Sequence, residues 1–147
     1  MSFSFWQKWL VGVSIYHVVF GLVYAFFNQS QFMDVLLNQY YDPHFWPDNQ
    51  ISTGTIQFKG WISSVVGAVV ASWGLLIAFI AYYPFKLLEK WAWKCIAFAI
   101  TLWFVVDTVF SLYYGVSINA VFNLFTLVLF ALPLLFTWKY FFGEVEE

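Results

Sequence analysis

Asp107 is the one formally charged residue inside any stretch long enough to cross a membrane, and side chains able to bond to it surround it in the sequence. Thr108 and Ser111 follow within one helical turn, and Asn119 and Asn123 return beyond a short connection. An Asp at the bilayer centre costs about 2.5–3.5 kcal/mol on insertion scales, so such a residue is paired, hydrated or at work. His17 is the histidine at membrane depth, and an Asp107–His17 pair offers acid–base chemistry. Ser14, one turn before His17, formally completes a hydrolytic set. Any serine-containing bundle with one His yields such a set by chance, and neither a nucleophile elbow nor a phosphate-binding glycine loop accompanies it.

Metal chemistry finds less support. Haem takes two axial ligands and zinc three or four, whereas His44, the second histidine, lies in a separate loop. The residues are therefore read as a ligand-binding set with no catalytic or metal-ligating member and no cofactor: Asp107, His17, Asn123, Asn119, Ser111, Thr108, Ser64, Trp103 and Tyr24. Rise along a helix puts Asp107 about 12 Å, and His17 about 15 Å, below the outer ends of their spans. The competing reading is architectural. Asp107 locks the helices through His17 and Asn123, and the asparagines bond between helices.

The elements that position these residues follow from composition. Hydrophobic residues make up 63% and charged residues 10% of the 147, against roughly 25% charged in a soluble domain, so the solvent for most of the chain is lipid. Length allows one domain, residues 1–147. All six basic side chains are lysines and the formal charge is −2, which argues against nucleic acid and against bidentate anion clamps. The single Cys95 excludes an intrachain disulfide and reads as a small apolar residue. Lys8 ahead of an apolar run resembles a signal peptide, but no small-residue cleavage site follows, so the run reads as an uncleaved first helix.

Four apolar stretches reach the length of about 20 residues that a bilayer core demands: 9–27, 61–83, 95–114 and 118–138. The expected class is all-α, an integral membrane four-helix transmembrane bundle with a short interfacial helix in the first outer loop. That helix covers 30–41, with Phe32, Val35, Leu36 and Tyr40 at helical spacing, and Asp42-Pro43 ends it. Residues 144–147 read as a frayed tail. Trp and Tyr residues near the span ends form the interfacial belt.

Each span carries a stripe of small and polar residues, the mark of faces that meet in lipid. The stripes are Ser14, His17, Gly21, Tyr24, Asn28 on the first; Gly60, Ser64, Gly67, Ala71, Gly74, Ala78, Ala81 on the second; Ala97, Thr101, Phe104, Thr108, Ser111, Gly115 on the third; and Asn119, Asn123, Thr126, Phe130, Pro133, Thr137 on the fourth. Pro133, inside the fourth span, requires a bend or a neighbour that relieves its missing N–H.

The loop Glu89-Lys90-Trp91-Ala92-Trp93, the long first loop and the glycine-rich second span resemble small bacterial four-helix membrane proteins of the DoxX-like and BphX-like group. That resemblance implies a bacterial cytoplasmic-membrane location and assigns no site residue; the acidic residue expected within the second span is missing here. Three functions stay open: a protein holding an apolar or amphiphilic small molecule, lipid or quinone-like, in an outer-half pocket; an accessory or scaffolding subunit docked on partner membrane subunits; and, third, an enzyme using Asp107 and His17. Membrane lipids are partners in each.

Lys8, Lys86, Lys90, Lys94 and Lys139 fall on one side of the four spans and Lys59 alone on the other, which places both termini in the cytoplasm. In intact cells, Asp42→Cys is expected to react with an impermeant thiol reagent while Lys90→Cys stays protected. Labelling at Lys90→Cys overturns this orientation.

Overall fold

A computed structural model describes residues 2–48 and 50–143; the expected tail at 144–147 lies outside the described residues. The chain is all-helical among these residues. α1 spans Phe3–Phe27; α2 (Gln31–Met33), a π-helical turn (Asp34–Asn38) and α3 (Gln39–Phe45) make up the short interfacial helix of the first loop; then follow α4 (Thr53–Tyr82), α5 (Lys90–Tyr113) and α6 (Ser117–Phe142). The four long helices are each long and apolar enough to cross a membrane, which makes this an integral membrane protein. At 1.5 Å per residue even α5, with 24 residues, reaches about 36 Å, beyond the roughly 30 Å hydrocarbon core.

Several helices outrun their apolar stretches. α1 begins at Phe3 rather than at 9, and α4 at Thr53 rather than at 61. Hydropathy registers only residues that favour hydrocarbon, whereas the backbone ladder continues through polar turns carrying Gln7, Lys8, Gln57 and Lys59. The interfacial helix also passes its expected stop. Pro43 lies inside α3, because proline's fixed φ is a helical value and its missing N–H costs one bond. Its apolar face at Phe32, Val35 and Tyr40 is exposed, while Met33 and Leu37 form a second, buried face that the spacing argument did not single out.

The chain forms two compact units. One comprises Met1–Ile15 with Leu75–Glu147 and holds a four-helix core of Leu10, Ile77, Ala81, Phe85, Ile96, Ile100, Phe130 and Leu134. Its helices are held by side-chain donors aimed at backbone carbonyls. Gln7 Nε2 donates to Ala81 O (3.0 Å), Trp93 Nε1 to Leu134 O (3.0 Å) and Trp9 Nε1 to Leu129 O (3.0 Å). The last of these answers the proline. Pro133 has no N–H for the carbonyl four residues earlier, which is Leu129, and the Trp9 indole takes that place. Thr137 Oγ1 caps the Pro133 carbonyl in turn, at 2.6 Å.

The other unit, Tyr16–Gly74, is organised on a glycine crossing. A Cβ built on Gly21 would lie 2.5 Å from Ala71 N and 2.6 Å from Gly67 O; one on Gly67 would lie 2.5 Å from Ala25 N and 2.6 Å from Gly21 O. The backbones of α1 and α4 touch here, as their small-residue stripes predict. Asn38 Nδ2 ties the π-helical turn to the end of α1 through Asn28 O (3.1 Å), and Asp42 pairs with Lys59.

Removing the Trp9 donor leaves a carbonyl unpaired in a water-free interior. Trp9→Phe is expected to destabilise the fold by about 1–3 kcal/mol, and by less in a Pro133→Ala background, where residue 133 regains its N–H. Equal costs in both backgrounds, read from unfolding in detergent, mean that Trp9 does not serve the proline.

Candidate functional site

The α5–α6 hairpin is set by Gly115, whose φ of 75° lies in the left-handed region open to glycine. The turn makes the sequence nearly symmetric about that residue. Ser111 and Asn119 stand four residues to either side, and Asp107 and Asn123 eight, so each pair shares a depth. On α5 the inward face runs through Ala92, Ile96, Ile100, Trp103, Asp107 and Ser111; Thr101, expected there, is exposed. The buried face is rotated by about one position from the small-residue stripe, because the large Ile96 and Ile100 side chains are buried along with Ala92 and Ser111.

Asp107 Oδ1 is the hub of the polar groups. It accepts from Asn119 Nδ2 (2.6 Å), Asn123 Nδ2 (2.9 Å) and Ser111 Oγ (3.0 Å). Asn119 Nδ2 also reaches Ser111 Oγ (2.8 Å), and Asn123 Nδ2 reaches Thr108 Oγ1 (3.2 Å). Ser111 Oγ lies 2.7 Å from the Asp107 carbonyl, the bond back to the preceding turn that holds a serine inside a helix. Asn123 and Ser111 are buried, whereas Asp107, Thr108 and Asn119 are half-buried. The cluster is thus closed at Ser111 and Asn123 and reachable at a rim formed by Asp107, Thr108 and Asn119. Trp103 stands one turn before Asp107 on the same face, also half-buried.

Three of the expected site residues belong to the unit Tyr16–Gly74 and are described there. Tyr24 Oη donates to Ser63 Oγ (3.1 Å). Ser64 Oγ donates to Ala25 O (2.8 Å) and accepts from Asn28 Nδ2 (3.0 Å). His17 is buried, its ring edge-on to Trp73 (5.8 Å) and Tyr16 (5.3 Å). Ser63 and Asn28 are thereby members of a second polar cluster. Asn28 was visible on the α1 stripe; Ser63 sits one position off its stripe and is reached only because a tyrosine is long. Ser14 Oγ donates to the Leu10 carbonyl in its own helix, at 2.7 Å.

Chemically, the hairpin cluster presents a carboxyl group, two carboxamides and two hydroxyls within one hydrogen-bonded patch. It suits recognition of a polar head bearing carbonyl or hydroxyl groups, with apolar helix surface on either side. Comparison with family models, curated proteins and solved structures finds no match to this chain.

Asp107→Leu deprives three donors of their common acceptor and is expected to destabilise the protein by about 1–3 kcal/mol, whereas Asp107→Asn keeps an oxygen there and stays near wild type. Unfolding midpoints in detergent check this. Indistinguishable midpoints for Asp107→Leu and wild type mean that the cluster does not hold the hairpin.

Proposed function

We propose that this protein binds an amphiphilic small molecule, a lipid or a quinone-like compound, at the Asp107 cluster. The observation that carries this is the hub's incomplete burial: three polar side chains donate to a half-buried carboxyl group within a span otherwise made for lipid. A cluster serving only to join α5 and α6 gains most from full burial, where competing partners are excluded. Here the rim formed by Asp107, Thr108 and Asn119 stays accessible. Asp107 lies six residues, about 9 Å, from the end of α5, a depth at which a head group bonds while its tail remains in hydrocarbon.

The lysine asymmetry puts both termini in the cytoplasm and the α5–α6 turn in the outer half of the membrane. The aromatic-basic loop around Trp91 and Trp93, similar to that of the DoxX-like and BphX-like group, agrees with a bacterial cytoplasmic membrane. A second reading, an accessory subunit of a larger membrane complex, draws on α5. Its outward residues Phe98, Leu102, Val105 and Val109 form a continuous exposed apolar face on which a partner helix can pack.

Native mass spectrometry of the purified protein separates the readings. Binding predicts a co-purifying lipid or quinone that Asp107→Asn loses while its unfolding midpoint stays at the wild-type value. A stable heteromer, with no small molecule lost on that substitution, favours the subunit. Retention by Asp107→Asn equal to wild type overturns the binding proposal.

A further inference from the structure

At the other end of the unit Met1–Ile15 with Leu75–Glu147, an open groove of about 220 Å³ runs between α1 and α4. Val11 and Ile15 form one wall, Leu75 and Phe79 the other, and Tyr82 and Tyr83 close one end. Its register is set by Gln7 Nε2 on Ala81 O, which pairs the start of α1 with the end of α4. Lys8 precedes Val11 and Ile15 on the same face of α1, by three and seven residues. On the facing side Lys86 Nζ lies 5.8 Å from the centre of the Tyr82 ring. Both walls of an apolar groove thus end in an exposed lysine at the same end.

That end is basic throughout. Lys90 and Lys94 open α5 and Lys139 lies in the last turn of α6, so five of the chain's six lysines gather there. Glu89 is the only acidic residue at that end among the described residues.

We infer that this groove is a binding site for an anionic phospholipid of the adjoining leaflet. One acyl chain lies between α1 and α4, and the phosphate sits between Lys8 and Lys86 within reach of the Tyr82 hydroxyl. Charge selects the occupant: carbon lining accepts any acyl chain, but two lysines at the mouth favour a head group of net negative charge over a zwitterionic one. Tyrosine at this level adds a hydroxyl donor on an apolar ring. The site is separate from the Asp107 cluster and does not depend on what that cluster binds.

The test mixes delipidated protein in detergent with equimolar phosphatidylglycerol and phosphatidylcholine of identical chains, and reads bound lipid by native mass spectrometry. Phosphatidylglycerol is expected to be retained over phosphatidylcholine by on the order of tenfold. The Lys8→Gln/Lys86→Gln pair, both surface changes, brings that ratio close to one, while Lys139→Gln keeps it. Ile15→Trp, which fills the groove, lowers retention of both lipids. Equal retention of the two lipids by the wild type overturns the inference, and so does an unchanged preference in the double lysine variant or undiminished lipid retention in Ile15→Trp.

Discussion

No water reaches the hydrocarbon interior of a bilayer, so each backbone carbonyl there must find its donor within the protein. Pro133 makes that constraint acute, since it withdraws the one N–H that Leu129 O would use. The indole of Trp9 supplies the replacement from another helix, and Gln7 and Trp93 address Ala81 O and Leu134 O in the same way. These bonds do more than satisfy valence. Apolar side chains facing lipid-like neighbours have little preference for one register over another, so directed donors at fixed heights set which turn of α1 meets which turn of α4 and α6. The groove and the hairpin cluster inherit their geometry from that registration.

The Asp107 cluster follows the same rule with side chains in place of main chain. A carboxyl group in this setting needs donors, and the pseudo-symmetric spacing about Gly115 delivers them from both helices at matched depth. Satisfaction of this kind leaves no buried side-chain polar atom orphaned among the described residues. What distinguishes the cluster from a plain interhelical tie is its open rim, and the functional proposal stands on that difference. At the opposite end of the same unit the lysines do the converse: they stay in water, and only their reach along the surface ties them to the apolar groove.

Much of this was legible in the residues. Length and apolarity identified the four spans, and the stripes on α1, α4 and α6 coincide with buried faces at His17, Gly21, Gly67, Ala71, Asn123, Phe130 and Thr137. The Asp107–Asn123 match followed from counting either side of the turn. Other features had no local signal. Trp9 looked like any belt tryptophan, because its partner lies 120 residues away and is a carbonyl, which carries no residue identity. The α5 face departs from its small-residue stripe because residue size does not mark a face on which Ile96 and Ile100 pack inward. Polar helix extensions and the passage through Pro43 escaped because hydropathy and breaker rules describe single residues, and the hydrogen-bond ladder is a property of the run.

The Gly21–Gly67 crossing has a consequence for how the sequence can change over time. What a new side chain would strike at either position is main chain, the amide of residue 71 or 25 and the carbonyl of the opposite glycine. Most steric conflicts can be relieved by shortening the neighbour, but a peptide group cannot be shortened. No compensating replacement therefore exists nearby, and departure from glycine requires the two helices to separate along their length. The two positions behave as one inherited character, retained together or lost together with the crossing itself.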